Sequence, residues 1–208
     1  MKRNILSIIV SGFISGLLIA IGGTVFLSCE SKYLGAFLFS VGLFFIVERQ
    51  YKLYTGAIGY ALDNKKEDNI NLIFILIGNF IGAALPALIL SLTRINPLIS
   101  EKAVALVTTK LNDAWYSVLI LSIFCGILIY LGVDTFRKAS NPVSKVLAIL
   151  LCIVVFILSS YEHCIANMYY ITMAKMWSMK PFLYILLMIV GNSIGGLLIP
   201  SLRKLIKD

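Results

Sequence analysis

Long runs of uncharged, apolar residues constrain this chain more than any other feature of its sequence. The first run, Ile5–Ser28, contains 24 residues without a charged side chain. A transmembrane helix needs about 20 such residues. Three further stretches reach or nearly reach that length: Ile70–Leu92, Trp115–Val133 and Pro181–Pro200. Only 13% of the 208 residues are charged, too few to coat a water-soluble surface. We therefore predict an integral membrane protein.

The start of the chain resembles a secretory signal in one respect. Met1-Lys2-Arg3-Asn4 is basic, and Ser28-Cys29 faintly resembles a lipoprotein cleavage site. The apolar run between them is far longer than the roughly 7–15 residues of a signal-peptide core. We therefore expect the first span to be retained.

Two more apolar regions are interrupted by polar residues. Neither half of either region is long enough to cross a bilayer alone, whereas the two halves together are. We therefore predict an all-α integral membrane fold with six transmembrane helices, of which the second and fifth are broken. The halves are Leu34–Val47 and Tyr51–Leu62, separated by Glu48-Arg49-Gln50, and Val146–Ser160 and Cys164–Ala174, separated by Tyr161-Glu162-His163.

The basic residues between the spans predict the orientation, because loops rich in Lys and Arg tend to remain cytoplasmic. With the N-terminus inside, ten basic residues lie inside and six outside. We expect a multi-pass protein of the cell (inner or plasma) membrane with both termini cytoplasmic. The same bias explains the formal charge of +8 without a nucleic-acid partner. The inner residues are Lys2, Arg3, Lys65, Lys66, Arg137, Lys138, Lys145, Arg203, Lys204 and Lys207; the outer ones are Lys32, Arg94, Lys102, Lys110, Lys175 and Lys180.

An internal repeat divides the chain. Gly78-Asn79-Phe80-Ile81-Gly82-Ala83 in the third span recurs as Gly191-Asn192-Ser193-Ile194-Gly195-Gly196 in the sixth. Three crossings separate the copies, so the two halves form an inverted-topology (3+3) repeat. We predict one transmembrane domain over residues 1–208, with repeats at about 5–93 and 115–202. In such folds the solute path lies between the repeats and is lined by the broken helices.

The spacing within the repeats supports this interpretation. Thr55, beside the first break, precedes Asn79 by 24 residues, and Asn167, beside the second, precedes Asn192 by 25. Each break is therefore expected to have the same relation to its Gly-Asn helix. We interpret the repeated glycines as helix-packing positions rather than as chemistry.

His163 is the only histidine, and it lies at the second break beside Glu162. An ionisable group inside a membrane is costly and by default indicates a solute path or a proton relay. The alternative is a buried neutral histidine that is hydrogen-bonded to Asn167 or to unpaired backbone. We favour the functional interpretation.

The sequence indicates neither a metal site nor a catalytic site. Its cysteines lie at no metal-binding spacing, and one histidine cannot build a metal site alone. We recognise no catalytic nucleophile, catalytic triad or cofactor-binding motif in the sequence. We therefore expect no cofactor and no enzymatic activity. The cysteines are Cys29, Cys125, Cys152 and Cys164.

Tyr161-Glu162-His163-Cys164-Ile165-Ala166-Asn167-Met168-Tyr169 closely resembles the fifth-helix break of the formate/nitrite transporter family, which carries Glu-His-x-x-Ala-Asn-Met. The resemblance extends to the two Gly-Asn elements and to the order of six spans. It implies a pentamer of aquaporin-like protomers, each with its own pore and with His163 between two apolar constrictions. It also implies that Leu53-Tyr54-Thr55 is the element at the second-helix break and that Lys110 is the lysine of a vestibule.

The substrates implied by the resemblance are small monovalent anions and their weak acids, such as formate, nitrite, hydrosulfide, acetate or lactate. Lys110 would draw the anion into the vestibule. His163, with Glu162 and Asn167, would assist proton exchange, so that the solute passes as the neutral acid. Protons and the lipid bilayer are therefore the further expected partners.

Several residues depart from the family pattern. Glu48, Arg49 and Lys52 add charge at the first break, where they serve either in selectivity or as a salt-bridge cluster at the break or a subunit interface. Tyr54 replaces a phenylalanine of the constriction, and Cys125 replaces an asparagine. These changes leave two alternatives open: a pore for a small neutral solute, and a membrane enzyme or non-conducting scaffold.

Overall fold

The computed structural model describes residues 4–206 and, within that range, every side chain except that of Glu67. Lys2, Arg3 and Lys207, counted above among the inner basic residues, lie outside the described residues. The described chain is helical throughout its regular elements. These are α1 (Ile5–Ser28), α2 (Lys32–Glu48), α3 (Tyr54–Ala57) with the 3₁₀ turn Ile58–Tyr60, α4 (Lys66–Leu90), α5 (Asn96–Leu111), α6 (Trp115–Lys138), α7 (Pro142–Leu158), α8 (Cys164–Met173) and α9 (Met179–Arg203).

Four helices are long and apolar enough to cross a membrane, and they coincide with the four uninterrupted spans predicted from the sequence. Helix α6 continues one turn beyond its predicted end at Val133, because the charge of Asp134 is paired. The carboxylate of Asp134 forms ion pairs with Lys138, at 3.0 Å, and with Arg203, at 2.7 Å.

Both predicted breaks are present, and both have the same backbone form. Helices α2 and α7 contain 17 residues each and end next to a residue with positive φ: 57° at Gln50 and 56° at Ser160. The following amides, of Tyr51 and Tyr161, donate to carbonyl oxygens five residues earlier, at 2.9 Å each. This pattern closes a helix C-terminus.

The second half of the first broken helix is shorter than predicted. We expected an apolar segment from Tyr51, but α3 begins at Tyr54. The residues between do not join the helix, because the amide of Lys52 donates to Ser11 Oγ, at 3.0 Å, and Leu53 is extended.

Helix α5 was not predicted as a helix. It lies between the third and fourth spans and packs against α8. Pro97 occupies its first turn, where a missing amide hydrogen is harmless. Ile99, Ala103 and Val107 are buried and recur every four residues, so they form one apolar face. Ser100, Glu101 and Lys102 interrupt the apolar residues of this helix, so no span-length apolar run is visible in the sequence.

The two halves repeat the same order of elements. Helix α6 starts 110 residues after α1 (115 − 5), and α7 starts 110 after α2 (142 − 32). The offset between α4 and α9 is 113 (179 − 66), because α8 is three residues longer than α3 and its 3₁₀ turn together. The glycine positions behave as predicted: a Cβ on Gly82 or Gly195 would collide with the backbone of the facing helix, at Phe13 or Ile123.

Candidate functional site

Asn79 of α4 holds the first break in place. Its Oδ1 accepts from the amide of Tyr54, at 2.8 Å, and its Nδ2 donates to the carbonyl oxygens of Gly12, at 2.8 Å, and Lys52, at 2.9 Å. The side chain is fully buried. One amide group therefore pairs the two backbone groups at the break, the amide of Tyr54 and the carbonyl of Lys52, that lack helical partners in an apolar setting.

Asn192 of α9 does the same at the second break. Its Oδ1 accepts from the amide of Cys164, at 2.9 Å, and its Nδ2 donates to the carbonyl oxygens of Ser122, at 2.8 Å, and Glu162, at 2.7 Å. The sequence analysis missed this role, although the recurrence of asparagine in both Gly-Asn elements was visible.

These contacts correct the spacing argument made from the sequence. The equivalent break residues are Lys52 and Glu162, whose carbonyl groups bind the two asparagines. They precede Asn79 and Asn192 by 27 and 30 residues (79 − 52 and 192 − 162). Thr55 and Asn167 are not equivalent positions, so the near-equality of 24 and 25 was a coincidence.

His163 lies directly before α8, and its ring makes two hydrogen bonds. Nδ1 accepts from the amide of Ala166, at 3.2 Å, and Nε2 lies 3.0 Å from Oγ1 of Thr55. Since Nδ1 faces a donor, the ring is the neutral tautomer that carries hydrogen on Nε2, and it donates to Thr55. Thr55 and His163 thus join the two half-helices at the centre of the molecule.

The ring of His163 combines features of both sequence interpretations. It is only 2% exposed and binds backbone at a helix N-terminus, as the structural alternative expected. Of the two partners named for that alternative, the ring binds backbone, whereas Nδ2 of Asn167 donates to the carbonyl oxygen of His163. However, His163 also lines a cavity, as a residue on a solute path must.

Glu162 faces away from the neighbouring imidazole. Its Oε2 lies 2.5 Å from Nζ of Lys110 and accepts from Nδ2 of Asn167, at 2.8 Å. The side chain of Lys110 is 13% exposed and that of Glu162 only 4%. The predicted vestibule lysine is therefore one half of a nearly buried ion pair. Oδ1 of Asn167 is buried and has no hydrogen-bond partner among the described residues.

Two cavities approach the centre. The Lys110 cavity, of about 90 Å³, is lined by residues that include Lys32, Lys110, Tyr161, His163, Asn167 and Tyr170. The Tyr60 cavity, of about 280 Å³, is lined by residues that include Tyr51, Lys52, Leu53, Tyr60, Asp68 and Arg137. Tyr51, Leu53 and Tyr60 are each 110 residues before Tyr161, His163 and Tyr170, so the cavities are counterparts in the two repeats.

The first half-helix separates the cavities. Leu53 lines the Tyr60 cavity, His163 lines the Lys110 cavity, and Thr55 binds His163. The linings of the two cavities share no residue. The two cavities are therefore not joined in this conformation, and Thr55 lines neither of them.

The family model described as "Formate/nitrite transporter" matches residues 1–205. The chain belongs to this family. Its relatives include the uncharacterised transporter YrhG of Bacillus subtilis, 30% identical over 94% of this chain and 82% of the relative. They also include the formate channel BtFdhC of Bacillus thuringiensis, 31% identical over 67% and 57%, and the formate channel FocA of Haemophilus influenzae, 24% identical over 69% and 54%.

Solved structures of channels share the fold. A pentameric formate channel with formate bound superimposes with a TM-score of 0.82 at 22% identity, covering 99% of this chain and 98% of the other. An ion channel of the same family also gives 0.82, at 21% identity and with 98% and 90% covered. These relatives and neighbours are channels and transporters, not enzymes.

Three charged residues that distinguish this family member take different positions. Glu48 and Arg49 are exposed, line neither cavity and form no ion pair within the described part of the chain. Glu48 and Arg49 therefore do not form a salt-bridge cluster within the described residues of one protomer, and a cluster at a subunit interface stays a prediction. Lys52 lines the Tyr60 cavity, which places it where a role in selectivity is possible.

Tyr54 and Cys125 are both buried and line neither cavity. The hydroxyl of Tyr54 reaches Ser193 on α9, at 2.8 Å. Its oxygen therefore does not add polarity to the walls of the two cavities. Over the described residues, no group of three or more His, Cys, Asp or Glu side chains is arranged to hold a metal ion.

Proposed function

We propose that this family member is a membrane channel for small monovalent anions, which cross its centre as neutral weak acids. A connected series of polar groups at the end of the Lys110 cavity carries the proposal. It runs from Lys110 through Glu162 to Asn167, with the ring of His163 in the same wall and bonded to Thr55.

The free energies favour the neutral form at the centre. Moving an isolated carboxylate into a medium of low dielectric costs tens of kcal/mol in the ideal limit. Protonating an acid of pKa near 4 at pH 7 costs only about 4 kcal/mol, from about three pH units at 1.36 kcal/mol each. Protonation before the narrow Leu53–Thr55 segment is therefore the less costly route.

The Lys110 cavity supplies groups for each stage. Lys32 and Lys110 together exceed the charge of Glu162, so the cavity attracts an anion. Protonation gives the acid a hydroxyl donor, and the unpaired Oδ1 of Asn167 is a buried acceptor beside it. His163, or a water molecule held beside it, assists the proton exchange: the anion takes up a proton from water on the entry side, and the neutral acid returns a proton to water on the exit side.

We also propose the assembly and placement that the family suggests. The molecule is a homopentamer in the cell membrane, with one pore per protomer, both termini cytoplasmic, and one domain with repeats at about 5–93 and 115–202. Large exposed apolar side chains such as Ile73 and Leu88 suit contact with lipid or with neighbouring copies. Formate is the first substrate to test, because similar proteins are described as formate channels.

One observation favours a second candidate, a pore for a small neutral solute. The charge of Lys110 is matched by Glu162 at 2.5 Å, which weakens the attraction of an anion to that side chain. A neutral solute needs no such attraction.

Liposome swelling separates these candidates. Liposomes that contain the purified protein are exposed to sodium and ammonium formate, nitrite, acetate and lactate, and to urea as the neutral solute. Faster swelling in the weak-acid salts than in urea supports the anion channel, and the reverse supports the neutral pore. Swelling equal to that of protein-free liposomes for all solutes indicates a non-conducting scaffold and contradicts both.

A further inference from the structure

The half-helix that carries Thr55 is too short to be stable by itself. Helix α3 has four residues, and three more form a 3₁₀ turn, Ile58–Tyr60. Isolated helices shorter than about 12 residues are not stable in water. The position of Thr55 against His163 must therefore depend on contacts that fix α3 from outside.

The first such contact is at the N-terminal end of α3. The hydroxyl groups of Tyr54 and Ser193 are 2.8 Å apart. Ser193 already donates its hydrogen to the carbonyl oxygen of Ile189, at 2.6 Å. Tyr54 is therefore the donor, and its ring links α3 to α9 in the other repeat.

The second contact is at the C-terminal end. The hydroxyl of Tyr60 donates to Oδ1 of Asp134 on α6, at 3.2 Å. Asp134 is 2% exposed and is held by Lys138 and Arg203. The guanidinium of Arg137 lies 4.7 Å from the ring centre of Tyr60. The acceptor for Tyr60 is therefore fixed by two ion pairs, and the ring itself is covered by a cation.

The second half-helix depends less on such contacts. All ten residues of α8 are buried, and α8 is more than twice as long as α3. It has a counterpart tether, since the hydroxyl groups of Tyr169 and Thr24 on α1 lie 2.6 Å apart. Helix α8 borders the smaller Lys110 cavity at Ala166, Asn167 and Tyr170, whereas α3 and its turn border the larger Tyr60 cavity at Gly56, Ala57 and Tyr60.

We propose that Tyr54 and Tyr60 are positioning residues of the pore. Their hydroxyl groups tether the start of α3 and the end of its 3₁₀ turn to the opposite repeat and thereby hold Oγ1 of Thr55 at Nε2 of His163. Neither hydroxyl needs to contact the solute. The consequence for transport rests on the proposed function, whereas the consequence for the histidine ring does not.

His163 provides a direct measurement, because it is the only histidine in the chain. With ¹⁵N-labelled histidine and the purification tag removed, the membrane-embedded protein gives one pair of ring signals. We expect the Nε2 signal to move in Tyr54→Phe and in Tyr60→Phe. The matched control is Tyr184→Phe, which removes a hydroxyl bond of 2.8 Å to the carbonyl oxygen of Asp113, remote from α3. Its Nε2 signal should match that of the wild type.

Transport gives the second measurement. Tyr54→Phe and Tyr60→Phe should each lower maximal formate uptake per inserted protein about fivefold, the effect of losing one hydrogen bond of about 1 kcal/mol. The formate concentration for half-maximal uptake should change little, because the Lys110 cavity is intact. Ser193→Ala should lower maximal formate uptake as much as Tyr54→Phe does. The variant that carries both Ser193→Ala and Tyr54→Phe should lose no more uptake than either single variant. Tyr54→Phe should have no further effect in a Thr55→Ala background.

The two measurements separate the possible failures. An unchanged Nε2 signal in both tyrosine variants overturns the positioning role, and so does a shift of the same size in Tyr184→Phe. Full additivity of Tyr54→Phe with Thr55→Ala overturns it as well. If the Nε2 signal moves as expected but the wild-type protein takes up no formate, the proposed function fails and the tethering of α3 stands.

Discussion

The sharpest prediction about stability concerns the two buried asparagines, Asn79 and Asn192. In Asn192→Ala, the amide of Cys164 and the carbonyl oxygens of Ser122 and Glu162 lose their partner at once. Each buried backbone group left unpaired costs about 1–3 kcal/mol, although single hydrogen bonds in membrane proteins average nearer 0.6 kcal/mol. The carbonyl oxygen of Ser122 lies within α6 and keeps its helical partner. The other two groups, at about 0.6–3 kcal/mol each, predict a loss of about 1–6 kcal/mol in the free energy of unfolding. Asn79→Ala should lose a similar amount, because its three bonds are equivalent.

The control is another asparagine with fewer bonds. Nδ2 of Asn69 donates once, to the carbonyl oxygen of Ala61 at 2.9 Å, so Asn69→Ala should cost about 1 kcal/mol or less. Reversible unfolding in mixed micelles of mild detergent and dodecyl sulfate, followed by the fluorescence of Trp115 and Trp177, measures all three variants. Equal losses in Asn192→Ala and Asn69→Ala would refute the argument that one amide closes each break.

Three further predictions concern the pore and the packing. His163→Asn and His163→Phe should both change formate uptake by proteoliposomes and its pH dependence; unchanged flux and pH profile in both contradicts the role in proton exchange. Lys110→Ala should lower formate uptake more than urea uptake, whereas an equal loss means that Lys110 only supports α5. It also leaves Glu162 unpaired, at a cost of about 3–5 kcal/mol, and Glu162→Gln in the same chain should restore part of the stability in the micelle assay. Gly195→Leu should prevent folding, because its Cβ collides with the backbone at Ile123; a folded variant in size-exclusion chromatography would contradict this.

The sequence alone determined the architecture, because its signals are local or periodic. The length of each apolar run decides whether it spans a bilayer, and polar interruptions in the second and fifth regions predicted both breaks. The recurrence of Gly-Asn-x-Ile-Gly revealed the repeat. The stretch from Glu162 to Met168 pointed to the family, and its residues proved to lie at the centre of the fold.

Other features of the fold were readable only in part. Helix α5 was missed because Ser100, Glu101 and Lys102 interrupt its apolar residues, so the segment is too short and too polar to be read as a span. The exact limits of α3 depend on hydrogen bonds that the amides of Lys52 and Tyr54 donate to Ser11 and Asn79, which are distant in the chain. A local pattern contains no information about such partners.

The tertiary structure decided what each site residue contacts. Glu162 and His163 are adjacent in sequence, yet one side chain faces Lys110 and the other faces Thr55. The hydroxyl of Tyr54 faces Ser193, 139 residues away, rather than a cavity. Such pairings arise because folding brings the two repeats together, and every buried polar group must then find a partner in a medium without bulk water. Sequence composition places polar residues within the membrane, but only the packing of the repeats determines which of them meet.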